Sequence, residues 1–525
     1  MSSVKSGLII GYDFGTSSVK AALFDPNGGI IASDQAAYPV KLPREGWAEQ
    51  VPDDWWNAMA LCTKQVIKKA NVDSSDIKAI GISAQMGGTI PVNKSGEHLY
   101  NCLIWLDTRS ATISKKITQG FPKISGYGLS NLLRWLWLTN GAPSLSGKDP
   151  ISKILWIKEQ LPDIWIKTHK FLDVKDYLLH RLCGNFVTSE DCAHLTWLMD
   201  NRKGKRQWSK YLSRRVGINT NLLPEIKSST EVAGKLTRKA AEEIGLSPNT
   251  LIVTGVSDVN ACALGSGDIS NNAIHLCVGT SSWLAAHQTN RAVDIASGTA
   301  TLCAADHEKY LLIAAQELAG GCINWAVQNL FDLKTSKSTF SHFDQLAQNS
   351  KAGANGLFFF PWLFGERVPV DNPYLRGGFA NLSISHDSAD MARAILEGVA
   401  LNTRWAMPAI QRITANKDQP IRFLGGAAKS DLWCQIFSDV LQRPIIQMQS
   451  PELGGCTGAA MTAAVGAGIF SSLEDSSIMC KTEKTFVPNR SLAPLFEEKI
   501  KFFKTYYQRT HSWHLQSNKD VFHDD

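Results

Sequence analysis

The sequence predicts an α/β protein made of two related halves that flank a shared central cleft. Three observations predict it. Apolar strands alternate with amphipathic helical stretches; a strand, Gly-Thr-Ser-Ser turn, strand unit stands at the start; and the same unit returns roughly half the chain later.

The first unit is Leu8 to Asp25. An apolar run, Leu8 to Tyr12, ends on Asp13, the turn Gly15-Thr16-Ser17-Ser18 follows, and Val19 to Phe24, with Lys20 among them, runs back. Glycine admits close backbone approach, and the hydroxyls and loop amides can bond phosphate oxygens. A carboxylate beside phosphate is tolerable when a divalent cation sits between them. Such turns also close ordinary hairpins, so the repeat carries the weight: Ala273 to Val278, then Gly279-Thr280-Ser281-Ser282, then Trp283 to Ala286.

The length of 525 residues suits two to four domains with large cores, and the hydrophobic and charged fractions are those of a globular protein. A formal charge of +6 is small for this length, and no basic cluster is interleaved with aromatics, which argues against nucleic acid. Met1-Ser-Ser-Val-Lys-Ser leads straight into a strand and no apolar run spans a bilayer, so a cytoplasmic protein with no membrane partner is expected. Eleven cysteines without a Cys-x-x-Cys pair read as reduced thiols in apolar surroundings.

In chain order, Ile30 to Ser33 reads as a third strand, and Pro52 to Ala70 as a helix with Asp53 and Asp54 at its start. Ile77 to Ser83 is a buried strand that delivers the loop Gln85-Met86-Gly87-Gly88. Ligands of open α/β sheets gather at such strand ends. Leu103 to Leu106 reads as a short strand stopping at Asp107-Thr108-Arg109. Ser125 to Gly217 is helical and rich in Trp, a pattern that usually builds core. Leu251 to Thr254 is a strand; after the turn Gly255 to Ser257, Asp258 opens a helix to Gly265. Beyond the second hairpin come helices at Gly320 to Leu330 and Ala389 to Ile410, and the strand Ile421 to Leu424. The loop Gly425 to Ser430 leads into a helix, and a closing helix runs from about Glu497 to Trp513 with a polar, frayed end after it.

Three sites have competing readings. Asp258 precedes a helix, where Asp is a common cap, yet it also stands near the chain midpoint, where a phosphotransferase would want a carboxylate to accept a hydroxyl proton. Asp107 and Arg109 could bond a polyol or form a local ion pair. Gly425 to Ser430 is either a plain strand-to-helix turn capped near Ser430 or an approach for a flat ligand or an anion. No Walker A sequence and no Gly-x-Gly-x-x-Gly fingerprint occurs, so any nucleotide must rest on the duplicated hairpins and this loop.

With these motifs in order, the chain resembles the FGGY carbohydrate kinases, nearly end to end, and within them the xylulokinase branch. The resemblance rests on Asp13 to Lys20, Gly81 to Met86, Ile104 to Arg109, Pro150 to Gln160, Gly365 to Pro369, Arg376 to Phe379, Asp390 to Glu397 and Gly425 to Ser430. It implies two ribonuclease H-like domains of the actin and sugar-kinase superfamily. Residues 1–256 would form the sugar-side domain with the first phosphate loop, and 257–525 the nucleotide-side domain with the second loop and the closing helix. It also implies ATP and Mg2+ as cofactors and a small-molecule sugar, most simply D-xylulose, as partner. Asp258 would be the general base and Asp13 the metal ligand. Thr16, Ser17, Ser18, Lys20, Gly279 and Thr280 would surround the phosphates, with Gly320, Asn324, Gly426 and Ser430 on the nucleotide. Gln85, Met86, Trp105, Asp107 and Arg109 would line the sugar pocket beside Asp258.

The chain departs from the xylulokinase pattern where His is replaced by Gly87, and where the residue after the base is Val259, with Asn260 one place on. Asn381 replaces a Gly, and Gly126 to Asn140, with Trp135 and Trp137, looks like an insertion near the sugar side. Another pentulose, an alditol or a sugar acid therefore stays open as substrate, as does a non-kinase reading as an actin-like ATPase or sugar sensor. A homodimer is allowed.

Overall fold

The computed structural model describes residues 7–294, 297–331 and 339–519, so the leader and frayed-tail readings at 1–6 and 520–525 lie outside the described residues. Seven strands make the first sheet: β1 (Leu8–Phe14), β2 (Ser18–Phe24), β3 (Ile30–Ala37), β4 (Ile77–Ala84), β5 (Val232–Lys235), β6 (Leu251–Val253) and β7 (Val256–Ser257). The strand β1 pairs antiparallel with β2, setting Asp13 opposite Lys20, and parallel with β4, setting Asp13 beside Ser83. β3 continues from β2, while β6 and β7 both run parallel to β4. Helix α1 (Pro52–Ala70) packs on β2 and β3, its acidic first turn and basic last turn both matched to the helix dipole.

Eight strands make the second sheet: β8 (Ile274–Val278), β9 (Ser282–Gln288), β10 (Val293–Asp294), β11 (Thr299–Cys303), β12 (Tyr310–Gln316), β13 (Ile421–Leu424), β14 (Ile445–Met448) and β15 (Thr482–Phe486). The run β12-β9-β8-β13-β14 repeats the strand directions of β3-β2-β1-β4-β6: two antiparallel steps, then two parallel ones. The duplication read from two short turns therefore extends across both sheets.

Between β4 and β5 the chain forms helices that include α2 (Leu129–Thr139), α3 (Pro150–Gln160), α4 (Val174–Cys183) and α5 (Glu190–His194). The Trp-rich α2 reaches the other half. Arg291 Nη2 donates to its last carbonyls, Leu136 O and Trp137 O, at 2.7 and 2.8 Å, and Asn140 Nδ2 donates to Ala292 O and Thr301 Oγ1 at 2.9 and 2.8 Å. Carbonyls left over at a helix end need partners, and here Arg291, in the connection between β9 and β10, supplies them. His194, fully buried, completes the strap, with Nε2 bonding Thr139 O at 2.6 Å and Nδ1 accepting from the Cys303 amide at 3.0 Å.

Later helices include α6 (Asp258–Gly265), α7 (Gly320–Asn329), α8 (Ser388–Thr414), α9 (Asp431–Leu441), α10 (Gly454–Gly466) and α11 (Ala493–Asn518). α10 comes from the second half, yet it lies on β1 and β4 of the first sheet and against α6. The approach is so close that a Cβ on Gly81 would stand 1.9 Å from Ala459 O, and one on Gly458 would stand 1.9 Å from Ala261 O. A buried cluster containing Ile9, Ala79, Val253, Ala261, Leu264, Cys456 and Ala460 thus draws on both halves of the chain.

Two expected elements differ. Only Cys102–Leu103 is strand, paired with Glu49–Gln50, because the chain turns at Ile104, whose carbonyl accepts from the Asp107 amide at 2.9 Å. Val256–Ser257, expected as a turn, is β7. Asn381 sits at φ 63°, in the left-handed region that Asn tolerates, and its Nδ2 donates to Gly356 O at 3.0 Å, so it serves where a Gly would.

Candidate active site

Asp258 is the first residue of α6, and the capping role that competed for it belongs to its neighbour. Ser257 Oγ faces the Asn260 amide at 3.5 Å, and Asp191 Oδ2 in turn accepts from the Ser257 amide and hydroxyl at 2.8 and 2.7 Å. The Asp258 carboxylate accepts from its own helix, Val259 N to Oδ1 at 2.9 Å. Burial and then the Asp13 carboxylate push its pKa up to about 7. Asn260, one place from where the resemblance expects a polar residue, is structural: its Nδ2 donates to Cys303 O at 3.2 Å and its Oδ1 accepts from Ala305 N at 3.0 Å.

Asp13 is the last but one residue of β1, where Ser83 Oγ donates to its Oδ1 at 3.1 Å. Burial raises its pKa, while Lys20 and the Ser83 bond pull it back. Burial alone would lower the Lys20 ammonium, but Asp13 opposes it and the net direction is up. Lys20 also donates to Glu452 O at 2.9 Å, so it is tied to the segment before α10.

The two hairpin tips have the expected open character. Ser17, Gly279 and Thr280 are exposed, and Thr16 and Ser18 are partly so. Thr16 Oγ1 accepts from Trp105 Nε1 at 3.0 Å, and Ser18 Oγ accepts from Gln35 at 2.8 Å, leaving each hydroxyl proton free to donate elsewhere. At the second tip, Gly320 N donates to Gly279 O at 2.9 Å and Gly321 N to Thr280 O at 3.1 Å, which seats the start of α7 on the loop. Asn324 is exposed one turn further along α7. Gly426 has open space on its Cβ side, whereas Ser430 is the cap of α9, its Oγ accepting from Trp433 N at 3.0 Å.

On the sugar side, Met86 packs against the small cluster of Val259, Ala263 and Ala285, which brings its loop to the start of α6. Gly87 holds φ +80°, and a Cβ there would meet nothing nearer than 3.7 Å. Asp107 and Arg109 form the ion pair, not an open polyol site. Asp107 is 0% exposed; Ala48 N, Arg109 N, Arg109 Nε and Arg109 Nη2 all bond its two oxygens, and Arg109 also reaches Glu49 at 2.8 Å. Arg109 stacks over Trp47, 3.6 Å from the ring centroid. Its strand-end neighbours saturate Asp107, so no carboxylate oxygen is left for a hydroxyl.

Family models for the N-terminal and the C-terminal domain of FGGY carbohydrate kinases match residues 8–265 and 275–467. The chain belongs to the FGGY family of carbohydrate kinases. It is 29% identical over 507 residues to the xylulose kinase of Staphylococcus epidermidis, covering 96% of this chain and 97% of that one. It is 28% identical over 502 residues to the gluconokinase of Bacillus subtilis, covering 93% and 94%. Among solved structures, a gluconate kinase from Lactobacillus acidophilus superposes with a TM-score of 0.84 at 26% identity, covering 97% of this chain and 99% of that one. A ligand-bound xylulose kinase from the same organism gives 0.83 at 27% identity, covering 96% and 98%. The protein is therefore a sugar phosphotransferase with the two-domain fold of the sugar kinases, and none of its described helices is long and apolar enough to cross a membrane.

Several residues that shape this kinase's site escape sequence reasoning. Asp173 accepts from Gly87 N and Gly88 N at 3.1 and 2.8 Å and caps α4 at the same time. Burial, then Asp176, raises its pKa to about 7. Lys153, 0% exposed on α3, donates to Gly87 O at 2.9 Å and Ile104 O at 2.7 Å, binding the Gln-Met-Gly-Gly loop to the Trp105 segment. Burial lowers its pKa to about 8 against the pull of nearby carboxylates. Asp191, Asp173 and Lys153 each lie far along the chain from what they hold, and a polar residue inside an apolar helix pattern was the one available signal.

Proposed function

We propose that this kinase transfers the γ-phosphoryl group of ATP to a hydroxyl of a ketopentose, D-xylulose in the first place. The observation that carries the reading is the partly buried Asp258 carboxylate, its proton affinity raised to about 7, at the start of a helix that meets the Met86 loop and next to Asp13. A base of that strength accepts the sugar hydroxyl proton as the oxygen bonds phosphorus and the bond to the ADP oxygen breaks.

Thr16, Ser17, Ser18, Gly279 and Thr280 supply donors to the transferring phosphate, and Gly426 with Gly320 and Asn324 admits the nucleoside. In this reading 1–256 serves the sugar and 257–525 the nucleotide. Asp13 would hold Mg2+, which neutralises phosphate charge when bound. The fit is chemical: the Asp13 and Asp258 carboxylates lie in one desolvated place and each raises the cost of charging the other, which a cation would relieve. Such a site suits a cation shared between one or two carboxylates and phosphate oxygens.

A sugar acid is the second reading. The missing side chain at Gly87, where a Cβ would lie 3.7 Å from Trp105, and the likeness to gluconokinases favour it. A coupled assay of ADP release across D-xylulose, other pentuloses, alditols and D-gluconate separates the two. ATP turnover that none of these compounds stimulates would overturn both.

A further inference from the structure

Gln50 is completely enclosed, and both ends of its amide are spoken for. Its Nε2 donates to Thr16 O at 2.7 Å and to Pro39 O at 3.4 Å, while its Oε1 accepts from Gln85 Nε2 at 2.6 Å. Backbone carbonyls only accept, so the orientation of the Gln50 amide is fixed, and with it that of Gln85. The chain of donors runs one way, from Gln85 through Gln50 to the carbonyl of Thr16 in the first phosphate loop. It leaves one group over at the sugar-side end: Gln85 Oε1, enclosed and accepting from no described protein group. A buried acceptor without a donor is costly, and it is the complement of a hydroxyl.

The other side of Thr16 is held from the same direction. Trp105 Nε1 can only donate, so Thr16 Oγ1 accepts from it and sends its own proton outward at the loop tip. Thr16 is thus gripped by carbonyl and hydroxyl alike from residues next to the Gln-Met-Gly-Gly loop. Gln85 itself is anchored at the end of β4 by its amide, which donates to Phe14 O at 2.8 Å.

We propose that Gln50 is a positioning residue that couples the acceptor sugar to the phosphate loop. A sugar hydroxyl that donates to Gln85 Oε1 strengthens the Gln85–Gln50–Thr16 chain and holds the loop in its phosphate-receiving form, so that nucleotide binds more tightly once sugar is present. The inference rests on the reading of the protein as an ATP-dependent sugar kinase. It adds that the two substrates communicate through one buried amide.

The test is the ratio of ADP dissociation constants measured by calorimetry without and with saturating D-xylulose, and in parallel D-gluconate. In the unaltered protein at least one of the two sugars should tighten ADP about 10-fold. In Gln50→Leu the ratio should fall to about 1, with kcat lowered more than the sugar KM. Should Gln50→Leu fail to fold, Gln85→Met breaks the chain at its other end without touching Thr16, and the same loss is expected. A purely structural Gln50 would weaken both constants together and keep the ratio. An unchanged ratio in the variants, or a ratio of 1 in the unaltered protein with both sugars, overturns the coupling. Phosphorylation of any sugar in the same preparations leaves the kinase reading standing on its own.

Discussion

Asp191 Oδ2 accepts hydrogen bonds from both the amide and the hydroxyl of Ser257, at 2.8 and 2.7 Å, and Ser257 is the residue that caps the helix opening on Asp258. The buried Asp191 therefore sets the position of the proposed base, and its charge adds to the forces that raise the base's pKa.

Asp191→Asn should separate these two effects. Removing the charge lowers the Asp258 pKa, so the acidic limb of kcat/KM should move down by about 0.3–1 pH unit. The altered cap should cost roughly 10-fold in kcat. A pH–rate profile of the variant reads both, and a limb that stays in place would disconnect Asp191 from the base.

Asp258→Asn should lower kcat by about 10²–10⁴ and yet stabilise the fold above neutral pH. A carboxyl whose folded pKa is about 7, against an ordinary 3.8, contributes stability below pH 4 and loses it as pH rises through 7. The neutral amide removes that loss. At pH 8 the gain should be about 1–3 kcal/mol, and at pH 4 close to nothing, when melting curves of the two proteins are compared.

Asp13→Asn should raise the Mg2+ concentration needed for half-maximal rate by about 10-fold or more, because one carboxylate is a large share of a site completed by phosphate oxygens. A Mg2+ titration of the initial rate measures it. Unaltered dependence would remove Asp13 from the metal.

Acid should destabilise the second sheet and the His194 strap that joins it to α2. Burial holds His194 at about 4, His275 at about 3 and His287 at about 4, all below the ordinary 6.5. The unfolded chain binds these protons first, so stability is full above about 6.5 and falls as pH drops toward 4. The apparent melting temperature should fall across that window, and His194→Gln should flatten the fall.

Gly81→Ala should be among the most damaging single-methyl changes in the chain. Its Cβ would enter the carbonyl of Ala459, a backbone atom that no rotamer change can move aside. A loss of at least ~3 kcal/mol is expected by denaturant unfolding, or failure to fold.

Much of this was written in short stretches of sequence. Leu8 to Phe24 reads as strand, phosphate-facing turn and strand because alternation and Gly-Thr-Ser chemistry are local, and helix α1 spans Pro52 to Ala70 as its punctuation predicts. Asp258 was legible as a candidate but not as a choice between cap and base. The structure gives the cap position to Ser257, which leaves the Asp258 carboxylate without that duty. The segment Gly126 to Asn140 reads as an insertion near the sugar side, and only the fold shows that the carbonyl end of its helix α2 is satisfied by Arg291 from the second half.

The sequence by itself determined the duplicated α/β plan, the two Gly-Thr-Ser-Ser tips and the identity of the carboxylates, because periodicity and turn chemistry act over a few residues. The tertiary structure decided the surroundings of those carboxylates. Asp107 is consumed by Arg109 and Ala48, Asp258 is left raised beside Asp13, and α10 crosses from one half to lie on the sheet of the other. Desolvation, charge pairing and a helix approach too close for a Cβ at Gly81 are properties of groups brought together across the chain, and no local pattern encodes them.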